Sequence, residues 1–102
     1  MFVHNVYFWL KDGLDDDAVV AFEKGLQSLC GIEFVKSGYY GKPAATDRAV
    51  IDSSYSYGMM LMFDDKAAQD AYQVSETHQQ FLAEHRAKRT RVLIYDFEDT
   101  TV

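Results

Sequence analysis

Apolar residues alternate or run together in four stretches of this chain and recur at helical spacing in two others. From Phe2 to Leu10 the even positions carry Phe2, His4, Val6, Phe8 and Leu10, and the odd ones Val3, Asn5, Tyr7 and Trp9. Both faces of this predicted strand are mostly apolar, so both are expected to be covered. Lys11-Asp12-Gly13 closes it. Asp15, Asp16 and Asp17 then open a helix, with Asp15 as the expected N-cap and the acids suited to the positive end of the helix dipole. No calcium-loop spacing follows them, so capping explains the run better than a cation site. Val19, Phe22, Leu26 and Leu29 form the buried stripe of this helix, and Gly31 is expected to stop it.

A second strand is expected near 34–41, ended by Pro43, and a polar connection over 42–54 with turn formers at Asp52, Ser53 and Ser54. The third strand, near 55–63, places Tyr55, Tyr57, Met59, Leu61 and Phe63 on one face and Ser56, Gly58, Met60 and Met62 on the other. Three methionines in one strand fit core filling better than a soft-metal site, and no metal site is expected. Asp64 or Asp65 caps a second helical segment running to about Arg89, whose basic end suits a helix C-terminus. The last strand, near 92–98, puts Leu93, Tyr95 and Phe97 on one face and Val92, Ile94 and Asp96 on the other.

Within the second helical segment the run from Ala71 to Phe81 is unusually polar. On one unbroken helix, six residues at roughly 100° each set Tyr72 and His78 about 120° apart, too far to share a pocket. Ser75 and Thr77 are both good N-cap residues, and Thr77-x-x-Gln80 has the form of a capping box. A break near Val74 to Thr77 is therefore expected, which turns both side chains to one side. The competing reading is a plain amphipathic helix with Tyr72 half buried and His78 on the surface.

The order β-α-β-β-α-β, with right-handed crossovers, predicts an α+β fold: a ferredoxin-like plait with a four-stranded antiparallel sheet and two helices on one face. The other face is apolar and uncovered, and a second copy of the same sheet is the simplest cover. By strand parity Tyr7, Trp9, Met60, Met62 and Ile94 are the expected contributors to that homodimer interface.

Composition narrows the function. At 102 residues the chain, 1–102, has the length of one domain. A net charge of −6 argues against nucleic acid and anionic membranes as partners, because phosphate neutralisation needs clustered cations. The single cysteine, Cys30, allows no internal disulfide and reads as a small apolar residue. The first apolar run is too short to span a membrane and lacks a basic leader, so residence in the cytoplasm is expected.

The chain resembles the stress-responsive A/B barrel (Dabb) domain family of the dimeric α+β barrel group. The marks are His4-x-Val6-x-Phe8-x-Leu10-Lys11, Gly41, Leu61-x-Phe63, Ala71-Tyr72-Gln73, His78-x-x-Phe81 and Asp96-Phe97, in that order. The resemblance implies the plait derived above, paired face to face through its sheets. One relative, olivetolic acid cyclase, is an aldol-type cyclase; by that likeness Tyr72 and His78 fall on its Tyr and general-base His, and His4 on a histidine lining its cavity. The chain departs from the pattern at Ser75-Glu76, where many relatives have His-Pro, and at Leu26 and Tyr57, where the cyclase has polar cavity residues. Its substrate is therefore not implied.

The expected site is a cavity between sheet and helices, with His78 and Tyr72 as the catalytic candidates and His4 at the floor. Phe8, Leu26, Tyr57, Met59 and Phe81 are its expected walls, mostly apolar with a few convergent polar groups. His4 shares its strand face with apolar side chains, so it needs a hydrogen-bond partner or water there. Three functions compete: a lyase or cyclase acting without metal or cofactor, a non-catalytic dimer binding a small apolar or aromatic ligand, and a monooxygenase-like barrel.

Overall fold

The computed structural model describes residues 1–101. Its elements are β1 (Phe2–Leu10), α1 (Asp16–Cys30), β2 (Ser37–Gly41), β3 (Tyr57–Phe63), α2 (Lys66–Gln73), α3 (Glu76–His85), a 3-10 turn (Arg86–Lys88) and β4 (Arg89–Glu98). The strands form one antiparallel sheet in the order β2-β3-β1-β4. This is the α+β plait that the hydrophobic pattern predicts.

Each helix begins where a side chain can satisfy a free N–H. Asp15 accepts from the Ala18 amide at 2.8 Å, and Asp65 accepts from the Ala68 amide at 2.9 Å. Gly31 follows α1 as expected, but at φ −92° it does not use the left-handed conformation open to glycine. Its amide donates to the Ser28 carbonyl instead. The chain then turns over Ile32 to Val35, so β2 starts three residues later than its aromatic content suggested.

The sheet face under the helices carries the core. Phe22, Leu26 and Leu61 are fully buried, and Phe8, Phe22, Tyr57 and Phe81 meet as tilted or edge-on rings. Burying each such ring contributes about 1.5–3 kcal/mol. On the opposite face Tyr39, Tyr95 and Phe97 are well exposed.

Register decides which side of β4 faces which layer. Ile94 stands opposite Val6 and Leu93 opposite Tyr7. Ile94 therefore lies on the helix side, not on the outer face where it was expected, and Leu93, Tyr95 and Phe97 hold the outer positions. The β1–β4 ladder also slips between Trp9 and Leu10: Trp9 pairs with Arg91, but Leu10 pairs with Arg89. Thr90 is thus the extra residue of a β-bulge, its hydroxyl donating to the Trp9 carbonyl at 3.3 Å.

Candidate functional site

The second helical segment breaks at Val74. α2 ends at Gln73 and α3 begins at Glu76, with Ser75 as its N-cap. The Ser75 hydroxyl accepts from the His78 amide at 3.3 Å and donates to the Tyr72 carbonyl at 2.7 Å. Thr77, the other cap candidate, lies inside α3. Ser75 alone supplies the cap of α3.

The break frees the Gln73 carbonyl from the helix ladder. His78 Nδ1 lies 3.0 Å from that oxygen, and the Gln79 amide group donates to it at 2.9 Å. A carbonyl can only accept, so Nδ1 carries the proton and Nε2 is left with a free lone pair. The His78 ring packs on Tyr72 with centroids 4.8 Å apart, and Tyr72 meets His4 on its other side at 6.1 Å. Tyr72 and His78 therefore open to the same side of the helical layer.

Burial holds the His78 pKa below the usual 6.5, with the Gln73 hydrogen bond opposing it and the charges of His4 and Arg89 adding to it. His78 is neutral at pH 7. Burial pushes the Tyr72 phenol well above its usual range, so it stays a proton donor. Tyr72 is 1% exposed. His4 is buried too, and its Nδ1 lies 2.5 Å from Asp96 Oδ1 on the neighbouring strand. That carboxylate is the partner a buried histidine requires, and it fixes the ring with Nε2 directed away from Asp96.

These groups line a cavity of about 230 Å³ between the sheet and α2–α3. Of the residues expected there, His4, Phe8, Met59, Tyr72, His78 and Phe81 do line it. Leu26 and Tyr57 do not. Leu26 is spent in the core beneath α1, and Leu29, one turn further on, reaches the cavity instead. The Tyr57 hydroxyl is drawn to α1, donating to Glu23 Oε1 at 2.5 Å. Ile94, Arg86 and Arg89 complete the rim. The two arginines read from sequence as ordinary helix-end cations; only the 3-10 turn and the bulge bring them round. Among the described residues no cluster of three or more His, Cys, Asp or Glu is placed to hold a metal, and no helix is long and apolar enough to cross a membrane.

Solved structures share this architecture across the whole chain. A protein of Arabidopsis thaliana, At3g17210, superposes with a TM-score of 0.82 at 23% identity, covering 100% of this chain and 98% of its own. A dimeric ferredoxin-like protein of unknown function from Jannaschia sp. CCS1 gives 0.76 at 25% identity, covering 96% and 98%. The hydroxynitrile lyase of Passiflora edulis gives 0.79 at 18% identity, covering 99% and 95%, a likeness of fold. No curated protein sequence matches. The family model of the Stress responsive A/B Barrel Domain, Dabb, matches residues 2–99, nearly the full length. The chain belongs to the stress-responsive A/B barrel (Dabb) family.

Proposed function

We propose that this protein binds a small apolar or aromatic molecule in the cavity between sheet and helices and abstracts a proton from it, with His78 as the base. The observation that carries this reading is the pinned His78 ring. Its Nδ1–H is held by the Gln73 carbonyl at 3.0 Å, which leaves Nε2 as a neutral base beside a protonated phenol. In the reaction, Nε2 takes the proton from the carbon next to a carbonyl. The C–H pair moves into the new C=C bond, and the carbonyl π pair moves to oxygen. Tyr72 donates a hydrogen bond to that enolate oxygen. Collapse of the enolate onto an electrophile, or loss of a leaving group, gives aldol or lyase chemistry. The hydroxynitrile lyase of Passiflora edulis is a lyase of the same fold.

The working form is a homodimer of this one domain, in the cytoplasm, joined through the apolar outer sheet face. The dimeric Jannaschia protein supports the pairing, and the exposed Tyr39, Tyr95 and Phe97 give the face a reason to be covered.

The test is exchange of the α-protons of phenylacetone in D₂O, followed by ¹H NMR. The wild-type protein is expected to accelerate exchange over buffer, and His78→Ala to return it to the buffer rate with the fold intact. Equal rates with protein, variant and buffer would remove the catalytic reading. Perturbation of Tyr72 and His78 resonances without exchange would leave a binding module.

A further inference from the structure

The charges around the cavity run against those of the chain. The protein carries 16 acidic residues and a net charge of −6, yet the cavity is lined by Arg86 and Arg89 and by no carboxylate. Among the described residues neither guanidinium belongs to an ion pair. The nearby acid of β4, Asp96, is already engaged by His4. The bulge at Thr90 is what brings Arg89 here. It sets Arg89 opposite Leu10, whose side chain shares the helix-side face of β1 with His4, Val6 and Phe8.

We propose that the cavity is selective for a ligand with an oxyanion head, a carboxylate or a phosphate, held across Arg86 and Arg89, and a small apolar body lying over Phe8, Met59 and Phe81. This rests on the reading of the cavity as a ligand site and names the class of molecule it takes. Guanidinium forks match planar or tetrahedral oxyanions with paired N–H donors. The two arginines repel: the Arg89 pKa is lowered, first by burial and then by Arg86. An anion relieves that repulsion. At about 230 Å³ the cavity is smaller than most ligand sites, which fits a single ring or short branched chain within it. Anchoring the anionic end at the rim leaves the body of the ligand beside Tyr72 and His78.

The experiment is calorimetric titration of the wild-type protein with 3-phenylpropanoate, phenyl phosphate and the neutral 3-phenylpropanamide, with Tyr72 and His78 resonances followed by NMR. At least one acid is expected to bind at least roughly tenfold tighter than the amide at low salt. The tighter acid identifies the head group. The paired substitution Arg86→Gln with Arg89→Gln is expected to erase that preference while amide binding is retained; Arg86→Lys with Arg89→Lys, checked by circular dichroism, should keep part of it. Equal binding of amide and both acids, at resonances within the cavity, overturns the charge selectivity and leaves the cavity reading standing. Binding by none of the three overturns both.

Discussion

Arg89 and Arg91 lie two residues apart on β4 and point to opposite faces of the sheet. In a regular strand they would share one. Arg91 sits over the Trp9 ring on the outer face, 4.4 Å from its centroid, while Arg89 lines the cavity on the inner face. The bulge between them separates two tasks that regular pairing would merge. Arg91→Ala is therefore expected to cost about 0.5–1 kcal/mol of stability through the lost cation–π contact, by urea denaturation, and to leave cavity binding unchanged.

Trp9→Asp addresses the outer face. A charge beside Tyr7, Tyr55 and Leu93 opposes apolar pairing of two sheets. Sedimentation velocity at micromolar concentration is expected to show a dimer for the wild type and a monomer for the variant. A wild-type monomer would count against the proposed assembly.

Ser75→Ala removes the cap that starts α3. The expected loss is about 1 kcal/mol, typical of an N-cap. Because Ser75 also ties α3 back to the Tyr72 carbonyl, the His78 ring should lose its fixed position, read as averaging of its Nδ1 and Nε2 signals in ¹⁵N NMR.

Gly25→Ala tests close packing between α1 and α3. Alanine favours a helix interior over glycine by about 1 kcal/mol. Here, however, a Cβ would stand 2.8 Å from His85 Nε2 and 2.9 Å from Phe81 Cδ2. His85 is wedged edge-on against Phe22 and cannot swing away. Overpacking of about 1–3 kcal/mol should exceed the propensity gain, so the melting temperature falls.

Acid should weaken the fold through its histidines. His85 is buried with Nδ1 unpartnered, and burial holds its pKa below 6.5, as it does for His78. The unfolded chain then binds protons more readily than the folded one. Stability from these two groups is complete above about pH 6.5 and is lost as pH falls through that value toward their folded pKa values. Thermal melts between pH 7.5 and 5.5 should show the decline, smaller in His85→Leu. Any proton-abstraction rate should fall over the same acid range as His78 is protonated.

The strands, the helices and their caps were legible because each is a local pattern. Alternation marked β1 and β3, and the polar run around Ser75 marked the break. The wall of the cavity was less legible. Leu26 and Leu29 both belong to the buried stripe of α1, and only the seating of that helix on the sheet decides which one reaches the cavity. Tyr57 was placed on the correct face, but its hydroxyl follows Glu23, a partner 34 positions away. Ile94 and Arg89 depended on the β1–β4 register and on one extra residue in it. Neither leaves a trace in periodicity.

The split between α2 and α3 also has a consequence for how this protein can change. Tyr72 and Phe81 are anchored in the core on either side of it, and the intervening stretch crosses the cavity with Val74 77% exposed. Gln73 and His78 of this stretch line the cavity and Ser75 starts α3, so substitutions around the break reshape the cavity wall at a cost of about 1 kcal/mol where they remove the cap, while the buried core stays in place. New ligand preferences can therefore arise in a handful of adjacent codons, which makes this short stretch the natural target for a focused library.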